Sequence, residues 1–111
     1  MRLAILLVAV LAVTLTSSKA EADYSNWGAG IDSCEKWIDA HAETGQSNGH
    51  TEWVLGYITA DMRSSGGDFT GDADFPGMRA WISSWCGDKP FKNVKDATQA
   101  LIRYLKKRNG W

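Results

Sequence analysis

The chain has 111 residues, and its 13 acidic and 12 basic side chains leave a formal net charge of −1. That balance, with no aromatic-basic pattern around Lys106, Lys107 and Arg108, excludes a nucleic-acid binder working through bulk positive charge. Once an export signal is set aside, about 90 residues remain, enough for one domain in which an apolar core alone is marginal.

The export signal is the first feature in chain order. Met1 and Arg2 precede an apolar run over 3–15, broken only by Thr14, and then small and polar residues. This is the layout of a secretory signal peptide over 1–22, with an Ala-x-Ala site at Ala20, Glu21 and Ala22. Cleavage after Ala20 is the alternative. The run is shorter than the ~17–25 apolar residues that a membrane span needs, so no stable membrane insertion is expected. The product is a periplasmic or secreted domain over 23–111. Its two cysteines, Cys34 and Cys86, then read as one structural disulfide. No His or Cys stands near either at zinc spacing, so no metal is expected there.

Charge is segregated along this domain. Residues 23–74 carry Lys36 and Arg63 against a large excess of acids, about −8 in all, whereas 75–111 is about +6. The two parts should attract when folded together.

Residues 23–31 form a Gly-rich lead-in anchored by Trp27. Asp32 or Ser33 can cap a first helix reaching about Glu43, with Cys34, Trp37, Ile38 and His41 on its apolar stripe. A polar loop over 46–50 leads to a second helix over 51–63. Thr51 is its expected N-cap and Glu52 lies in its first turn. Trp53, Val54, Leu55, Tyr57, Ile58 and Met62 leave this helix little wet surface, which predicts the core element. Gly56 inside it costs about 1 kcal/mol against Ala, so a close packing contact is expected there.

Residues 64–74 are a breaker cluster, hence a loop. Its Asp68, Asp72 and Asp74 do not have EF-hand spacing and are read as turn-forming and capping residues. Asp74 caps a third helix with Pro76 in its first turn, a stripe of Met78, Trp81, Ile82, Trp85 and Cys86, and an end at Gly87. Asn93 caps the last helix. Val94, Ala97, Thr98, Leu101, Ile102 and Leu105 make its apolar face, and Asn109-Gly110 ends it. No alternating strand pattern appears. The reading is an all-α, four-helix, single-disulfide bundle in which the bridge staples the first and third helices around the second.

Catalytic machinery is not legible. His41 lies on an apolar stripe, His50 lies in a loop without a nameable partner, and no nucleophile, phosphate-loop or metalloprotease motif is present. The expectation is a non-enzymatic protein without cofactor. Six tryptophans, at 27, 37, 53, 81, 85 and 111, are the compositional oddity. Most read as core, with Trp27 and Trp53 the candidates for an exposed groove.

Four segments carry a family likeness: Ser33-Cys34-Glu35-Lys36-Trp37-Ile38, Trp53-Val54-Leu55-Gly56-Tyr57-Ile58-Thr59-Ala60, Trp81-Ile82-Ser83-Ser84-Trp85-Cys86, and Phe91-Lys92 before a basic amphipathic helix. Together they resemble the HdeA-type acid-stress proteins of bacterial periplasms. The layout is also similar to the Rap/Tai-type immunity proteins of type VI secretion. The first resemblance implies a chaperone, a homodimer at neutral pH, that opens in acid and binds unfolded client proteins. It assigns Cys34 and Cys86 to the bridge. Trp37, Ile38, Trp53, Val54 and Tyr57 match the segments that make dimer or client contacts. The second resemblance implies one rigid surface for one secreted toxin.

Overall fold

The computed structural model describes residues 25–41 and 49–111. The export signal expected over 1–22 and residues 42–48 lie outside the described residues, as does the His41 side chain. A short 3-10 turn, Ala29–Ile31, precedes four helices: α1 (Cys34–His41), α2 (Gly49–Ser65), α3 (Phe75–Gly87) and α4 (Val94–Arg108). No strand occurs among the described residues; one isolated antiparallel bridge pairs Ser33 with Asn93. The all-α, single-disulfide bundle is therefore the architecture.

Local chemistry sets three of the four helix starts. The Ser33 hydroxyl accepts from the Lys36 amide at 3.2 Å, so Ser33 rather than Asp32 caps α1. Asp74 accepts from the Gly77 amide at 2.8 Å, with Pro76 in the first turn of α3. Asn93 accepts from the Asp96 amide at 2.8 Å. Each cap satisfies an N–H that the helix cannot pair internally. Gly110, at φ 77°, closes the chain's last turn in the left-handed conformation that glycine tolerates.

The second helix departs from expectation in three ways. It begins at Gly49, so Thr51 is not its cap but a buried residue inside it. A Cβ at Gly56 would meet nothing within 4 Å, so no neighbour approaches that backbone closely. Above all, α2 is not the core element. Val54 and Ile58 are buried, but Trp53, Leu55, Tyr57 and Met62 are only half-buried. Among the described residues, four helices provide no second layer to cover the far side of a helix that is apolar all round. The deepest element is α4, which buries Val94, Ala97, Thr98, Leu101, Ile102 and Leu105 and touches every other described element.

Cys34 and Cys86 form the disulfide, with Cα atoms 4.9 Å apart across 52 positions of sequence. Closing a loop of that length constrains the unfolded chain by about 4 kcal/mol in the entropy treatment. The bridge joins α1 directly to α3. Contrary to expectation, α2 does not lie between them; it packs on α4 and on the 3-10 turn. No described helix is long and apolar enough to cross a membrane.

The loop over 66–74 is better ordered than its composition suggests. Phe69 is fully buried, and its carbonyl accepts from the Asn109 side chain at 2.8 Å. The Trp111 ring meets it edge-on at 6.0 Å, and the Lys106 ammonium lies 5.0 Å from its centroid. Asp68 accepts from the amide and hydroxyl of Thr70 at 2.9 and 2.6 Å. Those bonds hold its carboxyl below the usual aspartate range. Among the described residues no His, Cys, Asp or Glu cluster is arranged to hold a metal ion.

Candidate protein-binding surfaces and the clasps on α2

The α2 helix is fastened at both ends by aspartate pairs, one to an aspartate outside it and one from its own Asp61. At its start, His50 stands in the first turn rather than in a loop, and its Nε2 lies 2.8 Å from Asp32 Oδ2. An ionised carboxylate can only accept, so Nε2 carries the hydrogen. The partner comes from the strand-like segment before α1. Two backbone bonds fix that segment to the α3–α4 turn: Val94 N–H to Asp32 O at 2.9 Å and Cys34 N–H to Lys92 O at 2.8 Å. Lys36 adds a longer ion pair to Asp32 at 3.5 Å. The His50 hydrogen bond above all, and the Lys36 charge after it, hold the Asp32 carboxyl below 3.8 against the opposing effect of burial.

Toward the other end of α2, Asp61 Oδ1 accepts from Lys106 Nζ of α4 at 3.0 Å and from Ser65 Oγ at 2.9 Å. Lys106 also donates to Ser65 Oγ at 2.9 Å, which closes a three-membered polar cycle. Partial burial pushes the Asp61 carboxyl up, but the bonds from Lys106 and Ser65 outweigh it and leave the group below 3.8. Between the clasps, the Gln99 side chain donates to the Tyr57 hydroxyl at 3.0 Å. Arg108 and Asp72, 3.4 Å apart, add a second tie between the acidic and basic parts of the chain.

The residues proposed for dimer or client contacts fall into two groups. Trp37 and Val54 are core; the Trp37 indole N–H donates to Ser83 Oγ at 2.9 Å. Ile38, Trp53 and Tyr57 are half-buried against that core. Trp53 and Tyr57 stack at 5.1 Å, and the Trp53 indole N–H donates to the Trp27 carbonyl at 2.9 Å. The Trp53 ring lies flat on the 3-10 turn, where a Cβ at Gly30 would sit 2.1 Å from it. Trp27 itself is 82% exposed. No single groove therefore unites the five: Trp37 and Val54 are buried, Trp53 and Tyr57 lie on α2, and Ile38 lies on α1.

Two surface features were not singled out in the sequence. Phe91 is 100% exposed at the turn between α3 and α4. A cleft of about 320 Å³ opens between α3 and α4, where Trp81 and Tyr104 stack at 5.5 Å above Met78 and Leu101. Trp81 and Tyr104 sit on predicted helices and Phe91 on the turn between them, but exposure depends on where neighbouring elements end, and periodicity does not report that. Comparison with known protein families, characterised proteins and solved structures finds no match to this chain.

Proposed function

We propose that this chain is an exported, non-enzymatic protein-binding domain that opens in acid and presents apolar surface to unfolded proteins, as an HdeA-type stress chaperone does. The observation that carries this reading is the way α2 is held. The disulfide joins α1 to α3 and bypasses α2, which depends on packing and on the Asp32–His50 and Asp61–Lys106 clasps.

Both clasp carboxyls sit below the ordinary 3.8, so the folded state prefers them ionised. Their contribution is complete above the unfolded value and is lost as the pH falls through the depressed folded values. Once the pH is below those folded values the clasps are spent, while every lysine and arginine keeps its charge. Release of α2 would uncover Val54, Ile58 and Trp53 together with the face of α4 that they cover, and the disulfide would keep the remainder from unravelling.

Size exclusion combined with binding of an apolar dye, from pH 7 to pH 2, tests this. Expansion and dye binding that rise below about pH 4 are expected. A chain that stays compact and binds no dye at pH 2 removes the reading.

A second reading, an immunity or inhibitor protein for one secreted toxin, is favoured by the exposure of Trp27, Ile31 and Phe91 in the closed fold. Exposed aromatics of this kind are common anchors in preformed interfaces. It predicts a tight one-to-one complex at neutral pH with a single partner, and loss of that complex in Trp27→Ala.

A further inference from the structure

Neither the clasps nor the helix packing accounts for Phe91. Single exposed apolar side chains are common on protein surfaces; what sets this one apart is how rigidly it is presented. The turn that carries it is stiff: Lys89 N–H donates to Cys86 O and Lys92 N–H to Lys89 O, both at 3.0 Å, and Lys92 O accepts from Cys34. Pro90 restricts the backbone further. The ring is therefore held out as a fixed knob between two exposed lysines, Lys89 and Lys92.

The α3–α4 cleft lies at the opposite end of the same helical hairpin. Met78, Trp81 and Tyr104 supply apolar lining, with Trp81 and Tyr104 stacked on each other. Asp72 and Asp74 stand exposed at its edge, with Arg108 neutralising part of Asp72 across 3.4 Å. From Val94 to Tyr104, α4 rises about 15 Å. A phenylalanine side chain cannot bridge that, so no chain can fill its own cleft with its own Phe91.

We propose that the α3–α4 cleft is a socket for Phe91 of a second copy of this chain, with Lys89 and Lys92 of that copy meeting Asp72 and Asp74. The contact is heterologous: knob and socket are different surfaces, so each copy keeps one of each free and association proceeds head to tail. It concerns the closed fold at neutral pH and does not rest on acid opening.

Sedimentation velocity over a concentration series at pH 7 reads it out. Wild type should associate reversibly, and Phe91→Ser should weaken association about 10-fold or more while leaving the packing intact. Tyr104→Lys, which places a cation in the socket, should do the same. Mixing the two variants is the decisive measurement. Phe91→Ser still has a socket and Tyr104→Lys still has a knob, so the mixture should form a capped one-to-one dimer that neither forms alone. Wild type that remains monomeric throughout, or Phe91→Ser that associates like wild type, overturns the proposal. So does a mixture of folded variants that forms no dimer, and so does Tyr104→Lys that associates alone like wild type, which is the outcome of a symmetric Phe91-to-Phe91 contact. If Tyr104→Lys fails to fold by circular dichroism, the Phe91→Ser comparison decides alone.

Discussion

Helices α1 and α2 are both fastened to the C-terminal half of the chain, by opposite means. A sulfur–sulfur bond, two backbone hydrogen bonds beside the Ser33–Asn93 bridge and the buried Trp37 indole secure α1. Side chains secure α2: two buried aliphatic residues, the Trp53 ring seated on the 3-10 turn, a tyrosine–glutamine bond and two aspartate pairs. One attachment is indifferent to pH. The other titrates. A small domain can thus be durable and yieldable at once, provided the two properties are assigned to different helices.

The largest expected effect breaks the durable side. Replacing both cysteines by serine should cost about 4 kcal/mol, read as a fall in the urea midpoint at pH 7. That is close to the whole stability of a domain this size, so the variant should be largely unfolded. A loss under about 1 kcal/mol would mean that α1 needs no covalent help and the contrast fails.

On the yielding side, Ile58→Ala should cost about 2–5 kcal/mol by opening a cavity under α2. Native-state hydrogen exchange sharpens this result. Amides of α2 should exchange faster in the variant, while those of α1, α3 and α4 keep most of their protection. Uniform acceleration in all four helices would show that α2 does not open separately.

Asp61→Asn should cost about 1 kcal/mol at pH 7, since it removes a half-buried charge-assisted bond. The difference from wild type should shrink as the pH falls below 4 and vanish once both folded and unfolded carboxyls are protonated. Equal destabilisation at pH 7 and pH 2 would assign the loss to packing rather than charge. The smallest effect belongs to Asp32→Asn, where the partner carboxylate is partly solvated. It should lower the urea midpoint slightly at pH 7, and the difference from wild type should close as the pH falls through the depressed Asp32 value.

Which parts of this arrangement are visible in the residue string follows from range. Caps act over three positions, so Ser33, Asp74 and Asn93 are readable, as is the α4 stripe that repeats along one element. Two cysteines leave one pairing. By contrast, the His50–Asp32 bond joins residues from separate elements, and no local pattern marks it. Phe69 lies among glycines and aspartates whose spacing spells a loop, yet it fills a gap at the end of α4. The apolar richness of α2 reads as depth, whereas its half-covered tryptophan, leucine and tyrosine mark a helix on the flank of the bundle. Composition counts apolar atoms; it does not count the neighbours available to cover them.

The flat seat of Trp53 on residue 30 makes the bundle unusually easy to pry open by genetic means. Hydrogen is the only substituent that fits between the indole and that backbone, since a methyl carbon would overlap the ring at 2.1 Å. Gly30→Ala is thus a wedge one carbon wide. It should lift the second helix at neutral pH and show the same dye-binding surface that acid would uncover, with every carboxylate still charged.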